Sequence, residues 1–156
     1  MENKEIINRK VIVFQLIDEE YALSVNQVGS IERMQSITRV PQTADFVKGV
    51  INLRGVVTPV IDLRSRFDMK ESEHGESTRI IIVYYNGTEV GLIVDAANDV
   101  IDIPESAIVP PPEVVGAVDI DCLEGVAKLD NRLLILLNLQ KVLKPEEINV
   151  LETIEG

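Results

Sequence analysis

Residues 46–67 read FVKGVINLRGVVTPVIDLRSRF. Two apolar runs, 46–53 and 56–63, flank the dipeptide Arg54-Gly55, which is the pattern of a β-hairpin. The same pattern returns later in the chain. With an offset of 76, Gly49-Val50 falls on Gly125-Val126, Leu53 on Leu129, VTPVIDL (57–63) on LLILLNL (133–139) and Phe67 on Leu143. Asp130-Asn131 takes the place of Arg54-Gly55. Upstream, an offset of 69 lays VIVF (11–14) on IIIV (80–83), and EYAL (20–23) on EVGL (89–92). Val25, Val28 and Ile31 then fall on Val94, Ala97 and Val100, and Val40-Pro41 on Val109-Pro110. The chain therefore reads as an internal duplication, with seven extra residues placed after Pro110.

Each half predicts a series of short strands. In the first they cover 10–16, 21–25, 28–34, 46–53 and 56–63, with a hairpin turn at 18–20. In the second, Asn86-Gly87 is the strongest hairpin signal in the chain. Five strands per half point to a mainly β fold made of two small closed barrels. The expected boundaries are a first barrel over about 10–68, a polar linker KESEHGES over about 70–77 and a second barrel over about 79–143, all within one unit spanning about 10–148. A strand exchanged between the halves is compatible with the same pattern. At the end of the chain, Pro145 is followed by two acids, and Ile148, Leu151 and Ile154 recur every three residues, which predicts a short C-terminal helix over 145–156.

The 156 residues are 46% hydrophobic, with no Trp and only 4% aromatic residues, so Val, Ile and Leu must build the core. The formal charge is −11, which disfavours nucleic acid and anionic membrane surfaces as partners. The one cysteine, Cys122, precludes an internal disulfide and fits a reducing compartment. No apolar run approaches the ~20 residues of a membrane-spanning helix, and residues 1–10 lack the apolar stretch of a secretory signal. The expectation is a cytoplasmic protein without membrane insertion.

The residues offer little chemistry. His74 is the only histidine and stands in the polar linker, so neither a multi-histidine metal site nor a rigid catalytic triad is signalled. Asp95 with Asp99 and Asp119 with Asp121 are close acid pairs, of the kind expected by chance among 26 acids. For Asp95 a capping or turn role fits better than general-acid chemistry, which would require burial. No phosphate-binding glycine loop is present. The sequence predicts no catalysis, no cofactor and no metal.

The 46–67 stretch, together with VIVFQLIDEEYALSVNQV (11–28), ITRVPQTADFVKG (37–49), VGLIVDAANDVIDI (90–103) and RLLILLNLQKVL (132–143), resembles the CheW family of chemotaxis coupling proteins over about residues 10–148. The resemblance implies two five-stranded SH3-like barrels joined along an apolar seam, and a non-catalytic adaptor associated with receptor arrays at the inner face of the membrane. It implies two partners: the cytoplasmic tip of methyl-accepting chemotaxis receptors, and the regulatory domain of a CheA-type histidine kinase. Positions matching the family's contact determinants are Val28, Gly49, Arg54, Gly91, Ala97 and Val100, with Val109 and Val114 at a second kinase-side contact. Where some members have Glu at position 30 this chain has Ser30, leaving Glu32 as a candidate partner for Arg54. Bland readings stand beside these: Val28, Ala97 and Val100 as core, Gly49 as a bulge or a close backbone approach, and Arg54 as a solvated turn residue. A scaffold of the same fold serving another histidine-kinase pathway, such as surface motility or biofilm control, is the alternative. A small barrel binding peptide or RNA would want a basic or aromatic face, which this composition lacks.

Overall fold

A computed structural model describes residues 8–41, 45–70, 73–111 and 120–143. Among these residues eleven strands form, in chain order: β1 (Asn8–Leu16), β2 (Glu19–Ser24), β3 (Val28–Arg33), β4 (Val47–Leu53), β5 (Val56–Asp62), β6 (Arg79–Tyr85), β7 (Thr88–Val94), β8 (Ala96–Pro104), β9 (Ile108–Val109), β10 (Leu123–Leu129) and β11 (Arg132–Leu137). Single-turn helices α1 (Leu63–Arg66) and α2 (Leu139–Val142) follow β5 and β11.

The near-continuous apolar runs of β1 and β6 are explained by burial on both faces, since successive side chains alternate across a strand. Val11 and Val13 enter one core with Ala22, Ile103, Ala127, Leu134 and Leu136. Ile80 and Ile82 enter another with Ile51, Leu53, Val60 and Ile93. The intervening residues Ile12, Phe14 and Leu16 of β1, and Ile81, Val83 and Tyr85 of β6, meet in a third and larger cluster with Tyr21, Leu23, Val90, Leu92 and Leu139. This central cluster is the seam between the barrels. Each fully buried aliphatic or aromatic side chain there contributes about 1.5–3 kcal/mol relative to exposure.

The sheets do not coincide with the sequence halves. One has the order β8-β1-β2-β11-β10-β9, the other β3-β6-β7-β5-β4. The first hairpin of each half, β1–β2 or β6–β7, has crossed into the sheet of the other. There β2 runs parallel to β11, and β7 parallel to β5. The exchange left open by the sequence is thus reciprocal and involves a hairpin from each side. The blocks 10–68 and 79–143 describe the repeats, and each sheet draws on both.

The duplication extends to the helix caps. Asp62 Oδ1 accepts from the Arg64 amide at 3.0 Å, and Asn138 Oδ1, its repeat equivalent, accepts from the Gln140 amide at 3.1 Å. Both acceptors suit the free amides of a helix start. Ladder partners refine the repeat alignment: Thr38 bridges to Val50, whereas Val109 pairs with Val126. Thr38 and Val109 are therefore structural equivalents, and two of the seven extra residues precede Val109 instead of all seven following Pro110. Both short helices were absent from the sequence expectation, and the predicted helix over 145–156 lies outside the described residues.

Arg54 (φ 52°) with Gly55 (φ 85°), and Asn86 (φ 49°) with Gly87 (φ 78°), have positive φ at both turn centres, as tight hairpins of matching twist require. The first hairpin turns one residue earlier than the expected 18–20. Leu16 pairs with Glu19 and Ile17 takes φ 58°, a conformation disfavoured for a β-branched residue. It is held there because its amide donates to Asp95 Oδ2 and its carbonyl accepts from Gln15 Nε2. Ile17 is also among the exposed apolar side chains. Ile17→Asn is expected to raise the unfolding free energy by roughly 0.5–1 kcal/mol in urea denaturation; a loss of stability would show that the strain is relieved in some other way.

Candidate functional site

The edge strands β3 and β8 are repeat equivalents, and their side chains frame the seam. Val28 pairs with Val83 and Ile31 with Ile81; on the other sheet Ala97 pairs with Phe14 and Val100 with Ile12. All four partners belong to the central cluster, so Val28, Ile31, Ala97 and Val100 stand on the seam side of their strands. Val28 packs against the cluster, Ala97 is half-buried, and Ile31 and Val100 are 41% and 53% exposed. Neither sheet supplies this apolar rim alone. Core burial therefore describes none of these four fully, and Val100 least of all.

A second duplicated exposure lies on the outer faces of the hairpins. Val57 and Leu133 are repeat equivalents, 50% and 54% exposed, with Val56 beside Val57. Each hairpin also sends a cation to the edge strand of its own sheet. Arg54 Nη1 lies 3.5 Å from Glu32 Oε2 on β3, and Arg132 Nη1 lies 3.5 Å from Asp99 Oδ2 on β8. Glu32 is thus the carboxylate that meets Arg54, and the buried Ser30 hydroxyl has no hydrogen-bond partner among the described residues. Arg132 also meets Glu20, and its pKa is raised first by that hydrogen bond. The Arg54 side chain is 66% exposed, so its pair is dynamic and screened.

The two glycines among the sequence candidates are placed by backbone packing. They lie in one lateral row, Gly49 opposite Val60 and Val60 opposite Gly91. Gly49 sits at the β4 bulge with φ 143°, and a Cβ there would lie 2.0 Å from the Thr38 carbonyl oxygen. A Cβ on Gly91 would lie 2.7 Å from Ile80 Cγ2. Val109 is half-buried on β9, and Val114 lies outside the described residues. The candidates therefore fall into three settings: the rim (Val28, Ala97, Val100), the hairpin tip (Arg54) and the barrel interior (Gly49, Gly91). Sequence reasoning missed Ile31, Val57 and Leu133 as surface residues. Their repeated apolar character could have flagged them, but only exposure separates such positions from core.

Asp95 and Asp99 meet different arginines, Arg64 and Arg132. Asp95 accepts from Arg64 Nε at 2.8 Å and from Arg64 Nη2, and the Arg64 pKa is raised first by this bond. With the Ile17 amide on the same carboxylate, Asp95 ties α1 to the first hairpin turn, which is the structural role expected of it. Cys122 is buried. Among the described residues, no group of three or more His, Cys, Asp or Glu is placed to hold a metal ion, and no helix is long and apolar enough to cross a membrane.

Comparison with known proteins gives a consistent picture. A family model described as "CheW-like domain" matches residues 10–147. The chain is 51% identical over 137 residues to "Chemotaxis protein CheW" of Bacillus subtilis, covering 88% of each protein. It is 34% identical over 150 residues to the protein of the same name from Klebsiella aerogenes, covering 96% of this chain and 90% of that one. The crystal structure of the scaffolding protein TtCheW from Thermoanaerobacter tengcongensis superposes with a TM-score of 0.82 at 41% identity, over 87% of this chain and 92% of that one.

Proposed function

The chain belongs to the CheW-like domain family, and from that premise we propose that it is a non-catalytic adaptor coupling methyl-accepting chemoreceptors to a CheA-type histidine kinase in receptor arrays on the cytoplasmic face of the membrane. The observation that carries this reading is the duplicated apolar exposure, with Ile31 and Val100 on the rim and Val57 and Leu133 on the hairpin faces. Single exposed apolar residues are ordinary, but their recurrence at equivalent places in both repeats points to surfaces that partners cover. Two kinds of surface, each present once per repeat, suit a protein that must hold two partners at once.

In this proposal the rim of Val28, Ile31, Ala97 and Val100 takes the apolar face of a receptor helical hairpin, with Arg54 and Glu32 setting its register electrostatically. Val109 and Val114 belong to the kinase-side contact. Weak individual contacts suffice because arraying many copies multiplies them.

Titrating isotope-labelled protein with a receptor-tip fragment should shift the amides around Val28, Arg54 and Val100, and a kinase regulatory domain should shift those over 109–114. Silence toward both ligands at millimolar concentration would overturn the proposal. Arg54→Ala provides the sharper test. Its stability should change by less than ~0.5 kcal/mol, because the pair is exposed. Its receptor-tip affinity should fall about 5–10-fold, in line with an ion pair used for recognition. Unchanged affinity would remove Arg54 from the interface.

A further inference from the structure

We propose that the cleft between β3, β6 and the turn at 75–78 binds a phosphate-class oxyanion between Arg33 and Arg79. The β3–β6 register places these two arginines directly opposite one another. Such residues project on the same face with Cβ atoms about 4.5–5.5 Å apart, and like charges so placed repel. The chain carries 26 acids against 15 bases, and Arg9, Arg54, Arg64 and Arg132 each meet a carboxylate. The Arg33 side chain makes no hydrogen bond or ion pair with any described residue.

Arg79 is held differently. Its Nη1 donates to the Glu76 carbonyl at 2.7 Å and to the Thr78 carbonyl at 2.9 Å, while Nε and Nη2 keep no described partner. One edge of the guanidinium is thereby fixed and the other is left to donate. The turn itself is fastened by the Gly75 amide, which donates to the buried Thr78 Oγ1 at 2.9 Å. The resulting cleft has a volume of about 500 Å³ and is lined by Arg33, Met34, Gly75, Glu76, Thr78 and Arg79. Glu76 is the competing charge, yet its carboxylate makes no ion pair with either guanidinium.

Two guanidinium forks facing one polar cleft, one preset by backbone carbonyls, match an oxyanion of charge near −2 better than a single carboxylate, because both positive charges are then neutralised by one group. Arg33 lies two residues beyond Ile31 on the same face of β3, so the site adjoins the rim, but its argument does not depend on the adaptor proposal.

The test titrates the isotope-labelled full chain with inorganic pyrophosphate at low salt, with potassium chloride at matched ionic strength as the control. Saturable shifts of the Arg33, Gly75 and Arg79 amides are expected, with an apparent Kd in the millimolar range or tighter and a rise in Tm. Arg33→Gln, at an exposed position with no bond to lose, should fold normally, with distant amides unmoved. It should also weaken binding at least tenfold and abolish the rise in Tm. Equal shifts with chloride, or a variant that binds as the native chain does, would overturn the site.

Discussion

Gly49→Ala is expected to lower the unfolding free energy by roughly 3–5 kcal/mol in urea denaturation. Two costs act together. The backbone at φ 143° is one that L side chains rarely adopt, and the added Cβ would lie 2.0 Å from the Thr38 carbonyl oxygen and 3.0 Å from Arg39 Cα. Neither neighbour is a flexible side chain that can swing away. The Thr38 carbonyl also accepts from the Val50 amide at 2.8 Å, so moving it breaks the bridge that fastens 38–40 to β4. Gly125, the repeat equivalent, provides the internal control. It has no positive φ, and its Cβ would lie 2.9 Å from both Ile108 Cγ2 and the Val109 carbonyl oxygen. Gly125→Ala should therefore cost less than Gly49→Ala. Equal or reversed losses would show that the bulge is not the source of the constraint.

Phe14→Ala should cost about 3–5 kcal/mol and leave unfolding a single transition. Phe14 is fully buried in the seam and stacks on Tyr21 with ring centroids 5.9 Å apart. Its deletion opens a void that strands of both sheets line, and packed interiors close such voids only in part. Because the hairpins are exchanged, β1 and β2 cannot leave their sheet without unpairing from β8 and β11, while β6 and β7 hold the other sheet to the same seam. Hydrogen exchange should thus show amides of β4 and β10 losing protection by equal amounts. Loss confined to one sheet, or two resolved transitions, would mean that the barrels are independent units.

Periodicity made much of this legible from sequence. The two-fold repeat of hairpin, strand and hairpin was visible in aligned apolar residues. So were the turns at Arg54-Gly55 and Asn86-Gly87, where composition and required φ coincide. Topology was not legible, because VIVF and IIIV report burial on both faces without saying which strand lies alongside. The helices α1 and α2 escaped notice because a single turn leaves no periodic trace. Among the candidate residues, Gly49 and Gly91 were found through motif, and the structure places them where backbones or cores approach closely. Ile31, Val57 and Leu133 were passed over because an exposed apolar residue in a β-rich sequence looks like a buried one. The Arg54–Glu32 pairing depended on how a hairpin tip meets a distant edge strand, which no local pattern encodes.

The reciprocal hairpin exchange also makes each repeat depend on the other. A half-length chain folding in this way could complete its sheet only by borrowing the hairpin of a second copy, so the architecture is that of a hairpin-swapped pair held in one chain. Joining the two repeats through the segment at 70–77 makes their association intramolecular and independent of concentration, at a loop-closure cost that grows only logarithmically with tether length. It also released the two copies from identity. In a homodimer any substitution appears twice, whereas in the fused chain Val56 and Arg132, or Ala22 and Gly91, occupy equivalent places with different chemistry. One chain of two non-identical repeats is thus a molecule whose two ends are free to differ.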